Sequence, residues 1–218
     1  MTTKKTAPGS LIVQTLETAW RDVQTRNSDV PDVIFITGKG ADGDSVTWVH
    51  FHANQWITER GQIHELFISG EALNRDPVET MTTLLHEAAH GLGHERGIRN
   101  TSRRGKYHNR RFVQLAGELG LAWPEGQAPD TTRGFSSVVM KSEAVTEYAS
   151  TIEALRDGRA AWRELGIEPA VELKPKSKNT KPRASCGCPG RFIWTARRTL
   201  DEAPVICGEC EAEFQLAP

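Results

Sequence analysis

Asp76-Pro77-Val78-Glu79-Thr80-Met81-Thr82-Thr83-Leu84-Leu85-His86-Glu87-Ala88-Ala89-His90-Gly91-Leu92 is the stretch on which the fold turns. Asp76 reads as an N-cap, Pro77 as the first helical residue, and Glu79 as the far side of a capping box. Val78, Met81, Leu84, Leu85, Ala88, Ala89 and Leu92 then recur at helical spacing and predict a buried stripe. Gly91 and Gly93 follow, and Gly97 marks where the helix has ended. His86 and His90 stand four residues apart, so their rings share one face about 6 Å apart. With Glu87 they make the H-E-x-x-H arrangement of a zinc hydrolase. Neutral imidazoles leave Zn²⁺ enough positive charge to bring the pKa of its water near ~7, and the neighbouring carboxylate can collect the proton. A surface helix with two solvated histidines is the plainer reading. The capped start and the apolar stripe beside the histidines argue against it.

A catalytic zinc needs three protein ligands and one position open to water. His94 lies one further turn along, which puts its ring too far down the helix to share the ion. Arg96, where a metzincin-like pattern would want a ligand, cannot serve. Glu143 could supply a carboxylate from a later helix. His108 is the best placed of the four. It opens a predicted helix, His108–Leu119, in which Phe112 and Leu115 could pack against the core while the imidazole points into the cleft. Tyr107 and Tyr148 are candidate oxyanion stabilisers.

Outward from this centre, residues 1–9 read as disordered, and Ser10 as the cap of a helix reaching Arg26 with Leu11, Ile12, Thr15, Leu16, Ala19 and Val23 inward. Asp32–Thr37, Val46–His52 and Gln62–Ser69 read as strands. His50 and His52 alternate on one of them, as a metal pair or, more plainly, a polar sheet face, and His64 reads as structural or exposed. Lys141–Leu165 has helical periodicity. The expected fold class is α+β, with a protease-like core over 10–124, a loop and accessory helix over 125–171, a basic Pro/Lys linker over 172–185 and a cysteine unit over 186–218.

The cysteine unit is too small to hold a core unaided. Cys186-Gly187-Cys188 and Cys207-Gly208-Glu209-Cys210 form two close pairs eighteen residues apart, with a strand-forming stretch, Arg191–Thr195, between them. This matches a structural Cys₄ zinc ribbon; the first pair is one residue tighter than the usual C-x-x-C, and Pro189-Gly190 could complete its turn. Redox disulfides are the alternative. Phe192 and Trp194 read as core of this unit together with Phe214, although with Arg191, Arg197 and Arg198 they could present stacking and charge to a single strand.

The net charge of -1 hides two basic blocks. Arg96–Arg111 carries seven basic residues, Lys174–Leu200 carries eight, and neither contains an acid. Such blocks attract polyanions such as DNA, or simply solvate loops and linkers. No apolar run reaches the ~20 residues of a membrane span, and Met1–Ser10 has no signal-peptide core, so the expected setting is cytoplasmic with no membrane partner. Clustered cysteines in a reducing compartment fit a metal site better than disulfides.

TLLHEAAHGL followed by YHNRRF, with a terminal cysteine ribbon, resembles the SprT/Spartan-type metalloproteases over roughly Phe67–Phe112 and again over Cys186–Phe214. The resemblance implies a zincin-like protease domain with His86, His90 and His108 as ligands and Glu87 as general base and acid. It implies protein substrates, in Spartan-like proteins DNA-bound or DNA-crosslinked, with activity switched on by DNA. The arginine-rich loop between His90 and His108 departs from the family pattern, and the tails of the eukaryotic members have no counterpart. The competing expectation is a nucleic-acid-binding adaptor whose metal helix is structural or weakly active.

Overall fold

The helix predicted after Asp76 spans Pro77–Glu95 in a computed structural model of the chain, which describes residues 6–42, 45, 46, 48–164 and 181–216. The chain divides into two units, Met1–Ile167 and Glu168–Pro218. In order, the first contains α1 (Pro8–Arg26), β1 (Val33–Gly38), β2 (Ala41–Asp42), β3 (Ser45–Val46), β4 (Val49–Thr58), β5 (Gly61–Ser69), a 3₁₀ turn (Ala72–Asn74), α2 (Pro77–Glu95), β6 (Thr101–Ser102), β7 (Tyr107–His108), α3 (Arg110–Glu118), β8 (Leu121–Ala122), β9 (Val139–Met140), α4 (Ser142–Glu147) and α5 (Ala149–Asp157). The second contains β10 (Arg183–Ser185), β11 (Phe192–Trp194), α6 (Arg197–Glu202) and β12 (Gln215–Leu216). The fold is mixed α+β with small sheets, as expected from the sequence. No described helix is long and apolar enough to cross a membrane.

The main sheet runs β1-β5-β4, with β1 parallel and β4 antiparallel to β5. Strand alternation sends Phe35, Leu66 and Ile68 into the core, where they meet Leu16, Ala19, Trp20 and Val23 of α1. Trp20 anchors that contact: its ring stands edge-on to Phe35 and its indole donates to the Pro31 carbonyl at 2.9 Å. The predicted stripe of α2 fills the centre, with Met81, Leu84, Leu85, Ala88 and Ala89 fully buried. β4 is an edge strand. Ser69 donates its N–H to the Trp48 carbonyl at 2.9 Å, so residues 48, 50 and 52 face β5 and Val49 and Phe51 turn their backbone groups to the free edge.

Several boundaries differ from the sequence reading. α1 starts at Pro8, after Ala7, so Ser10 is inside the helix rather than its cap. Proline fits the first turn because its missing N–H would have no partner there. Asp76 does cap α2, accepting the Val78 N–H at 2.8 Å. Glu79 closes no capping box; its carboxylate turns to Arg75 at 3.2 Å, the stronger partner. β4 runs on to Thr58 as one arm of a hairpin whose turn uses Gly61 at φ +120°. Lys141–Leu165 is not one helix: Tyr148, at φ -96° and ψ 13°, separates α4 from α5. Packing overrides the periodicity there, since the break buries Tyr148, Ile152 and Leu155 in the core shared with α1 and α2. Gly158 then lets the chain pass Thr15, where a Cβ would stand 2.1 Å from the hydroxyl. Residues 172–180 of the expected linker lie outside the described residues, and Arg183–Ser185 already belong to the ribbon sheet.

Candidate metal centres

α2 and the segment after it bring three imidazoles to one point. The Nε2 atoms of His86, His90 and His108 lie 3.1, 3.1 and 3.3 Å apart. Two ligands about 2.05 Å from an ion at the tetrahedral angle stand about 3.3 Å apart, so the triangle is the size one ion requires. Its corners are acceptors by necessity at two of the three rings. His108 Nδ1 lies 3.2 Å from the Arg133 carbonyl, which can only accept, so the proton sits on Nδ1 and leaves Nε2 a lone pair. His90 Nδ1 lies 3.3 Å from Asn100 Oδ1, while the Asn100 amide donates to the Ala89 carbonyl at 3.0 Å and is thereby fixed. Lone pairs converging at such separations repel one another unless a cation lies between them. The donor set therefore fits a metal ion.

Burial disfavours the charged form of all three rings. It takes His86 well below the ordinary histidine value, helped by the charges of His90 and His108. It takes His90 down to about 4, aided by His108 against the opposing Asn100 bond. His108 is lowered by the same cause, with the Arg133 carbonyl pulling the other way. Beneath them Phe112, fully buried, touches all three rings at centroid distances of 4.6, 5.0 and 4.6 Å. Burial also pushes the Glu87 carboxyl up to about 8, against the pull of the Phe51 N–H. Positive charge on the neighbouring histidine site would act in the opposite direction.

The centre opens on a cleft of about 830 Å³. One wall is the start of β4, with Trp48 and Val49; the floor is α2, with His86 and Glu87; the far wall is Arg133 and Ser136–Met140. The cationic residues along it are Arg75 and Arg133.

The other third-ligand candidates are elsewhere. His94 stands edge-on to His64 at 5.1 Å, and Glu143 lines a separate depression with Arg26 and Tyr148. Neither candidate tyrosine lines the cleft. Tyr148 is buried under the Arg26 guanidinium, and burial pushes its hydroxyl up to about 12. Tyr107 lies under the Arg103 guanidinium. His108 itself does not open a helix. It ends β7, paired with Thr101, and Asn109 caps α3 by accepting the Arg111 and Phe112 N–H groups. Asparagine is the better cap because its side chain reaches back to those amides.

Four supporting residues, Asn100, Asp130, Arg133 and Gly134, were not read from the sequence. Asn100 holds His90, and it can approach only because Gly93 has no side chain: a Cβ there would stand 2.4 Å from the Asn100 amide nitrogen. The helix runs through Gly91 and Gly93 to Glu95 and has ended by Gly97, at φ +62°, as the sequence implies. Arg133 holds His108 through its backbone, and Asp130 shapes that loop by accepting the Thr132 and Arg133 N–H groups. Gly134, at φ +65°, passes so close to His108 that a Cβ would meet its carbonyl at 2.1 Å. The Asp-Thr-Thr-Arg-Gly sequence is the available signal, as an Asx turn closed by glycine.

In the second unit all four cysteines are free thiols, and their sulfurs lie within 4.8 Å of one another. They could hold a metal ion. Gly187 at φ +92° lets the three-residue C-x-C knuckle turn, and Arg191 N–H to Cys188 carbonyl at 3.2 Å closes the Pro189-Gly190 turn. The N–H groups of Cys210 and Glu209 draw the Cys207 thiol down to about 6. Ala184, Cys207 and Phe214 form the small core. Alternation along β11 turns Ile193 inward, so Phe192 and Trp194, expected in that core, face outward at 42% and 61% exposure.

The basic blocks are partly neutralised. Arg96 binds Asp29 at 2.8 Å and Glu118 at 2.6 Å. Arg99, Arg104, Lys106, Arg110 and Arg111 are exposed and have no salt bridge among the described residues. Of the second block, Lys174, Lys176 and Lys178 lie outside the described residues; Arg191 pairs with Glu209 and Arg198 with Glu202. No protein-family model, curated protein or solved structure matches this chain, so its geometry and chemistry carry the functional argument.

Proposed function

We propose that the first unit is a zinc-dependent endopeptidase of zincin-like architecture, related in kind to the SprT-like proteases, and that the second is a structural Cys₄ zinc ribbon. One observation carries the reading: three imidazole Nε2 atoms converge within 3.3 Å of one another, and one of the three residues, His86, lines the floor of an open cleft with Glu87 beside it on α2. Bound Zn²⁺ would supply Lewis-acid polarisation of a carbonyl and activation of water. His86, His90 and His108 would hold it, leaving a face toward the cleft.

Glu87 takes the proton of the attacking water and returns it to the leaving nitrogen. Buried on α2 next to His86 and lining the cleft, its carboxylate lies where it can serve both halves of that task. The edge of β4 offers the outward backbone groups of Val49 to an extended peptide, which would lie along the cleft as an added strand. The unpaired basic residues of 99–111 favour substrates held on DNA.

The test compares wild type with Glu87→Gln on a DNA-binding protein substrate, with and without DNA. The variant is expected to keep its metal and lose about 10²–10⁴-fold in cleavage rate. Equal cleavage by both would end the mechanism; cleavage indifferent to DNA would end the DNA-linked role and leave the protease. The exposed pair Phe192 and Trp194, with Arg183 over the Phe192 ring at 4.2 Å, favours a second reading, an adaptor that binds nucleic acid through its ribbon. That reading predicts binding of single strands with no cleavage by the wild type.

A further inference from the structure

The outer face of the main sheet, turned away from α2, carries a third group of donors. His50 and His52 are alternate residues of β4, and Glu65 lies directly across from His52 on β5. One ligand atom from each lies within 4.8 Å of the others. The two imidazoles are near-stacked, with centroids 4.1 Å apart and planes 34° apart. His50 Nε2 is 3.8 Å from Glu65 Oε1, too far for a hydrogen bond and close to the spacing of two ligands on one ion.

Two of the three donors are held from behind. His50 lies flat on Phe67, 5.0 Å away and 16° from parallel. Glu65 Oε2 accepts the Trp56 indole N–H at 2.9 Å, which fixes the carboxylate and leaves Oε1 toward the histidines. Such outer bonds orient the ligands of real sites. We propose that His50, His52 and Glu65 form a separate surface site for a borderline divalent transition ion such as Zn²⁺, joining β4 to β5 and keeping its remaining positions for water. Two imidazoles and one carboxylate are the donors such ions prefer, and there is no thiolate to select a softer one.

The neighbouring group His64, His94 and Glu95 shows what the proposal excludes. His64 Nδ1 accepts the Asn54 N–H at 3.0 Å, so its proton sits on Nε2 and points at Glu95 at 3.1 Å. That ring has no lone pair left to give. Among the described residues no backbone N–H donates to His50 or His52, whose neighbours are Glu65, Phe67 and one another.

The experiment loads the full chain with about two equivalents of Zn²⁺, dialyses it against further free Zn²⁺, and counts bound metal. Wild type is expected to take up one more ion, bound at least ~10-fold more weakly by His52→Ala and by Glu65→Gln. His52 is exposed, and glutamine keeps an acceptor for Trp56, so unchanged thermal unfolding checks that both variants fold. The ring-nitrogen resonances of His50 and His52 should move with that last ion and not before. A His86→Ala chain should still take it up, which separates this site from the proposed protease centre. No extra ion in the wild type, equal uptake by the variants, or ring resonances that stay still would overturn the site.

Discussion

The three-histidine centre and the four-cysteine cluster could each hold a metal ion, and the fold surrounds them in opposite ways. Two of the histidines sit on a helix already held by a large core, the third ends a short strand packed beside it, and His86 lines a cleft. The cysteines close on one another, and among the described residues of that unit only Ala184, Phe214 and Cys207 itself are buried. A fold that does not need its ion can leave coordination positions free for chemistry. A fold made of its ion has none to spare.

The largest effect should come from breaking the closed site. Cys207→Ser removes one of four ligands from a unit with a three-residue core. Structural zinc contributes about 10 kcal/mol or more to such units. Residues 183–216 are expected to lose their amide-exchange protection outright, while residues of α2 keep theirs. The matching change in the open site, His108→Ala, should release the metal and leave the first unit folded, because Phe112 and the α2 stripe remain. If His108→Ala unfolds the first unit as Cys207→Ser does the second, the contrast between the two sites is false.

A finer test concerns how the open site is aimed. Asn100 is 7% exposed, accepts from His90 Nδ1 and donates to the Ala89 carbonyl. Asn100→Ala should weaken metal binding by about 10–100-fold, as losing a ligand's outer partner does. Asn100→Asp keeps the acceptor for His90 and loses the donor to Ala89, so it should keep most of the affinity while losing about 1–3 kcal/mol of stability. Metal titration and thermal unfolding separate the two. If the aspartate binds metal as poorly as the alanine, the bond to His90 is not what orients it.

These residues also mark where the sequence stops being legible. His86, Glu87 and His90 follow from helical spacing alone, because a rigid period fixes which side chains share a face. The Cys pairs were equally plain, since thiols at knuckle spacing have few other uses. Asn100, Arg133 and Gly134 were not, because their roles depend on where a loop returns. Gly93 carries no such signal either: its missing side chain is what admits Asn100, and helical spacing says nothing of that neighbour. The break at Tyr148 was invisible for a related reason: both halves keep helical periodicity, and only the core they share decides the angle between them.

The smallest expected effect tests whether the first unit is held by its own buried contacts. Glu71 lies where the sheet ends, its side chain 3% exposed. One carboxylate oxygen accepts the Gly40 N–H at 3.0 Å and the other meets the Arg163 guanidinium at 3.3 Å. Burial by itself would raise this carboxyl, but the Gly40 N–H and the Arg163 guanidinium more than offset it and hold it below the ordinary value. A carboxyl whose folded pKa is lowered adds stability above its unfolded value, near 4.5, and loses that contribution as pH falls through the folded value. Glu71→Gln should therefore lower the melting temperature of the first unit by about 3 °C at pH 7, and the difference should shrink to nothing in acid. The second unit supplies the control. Its melting should be blind to Glu71 at every pH and respond instead to chelation, so a Glu71→Gln shift that persists in acid would mean that the carboxylate's charge is not what holds this corner.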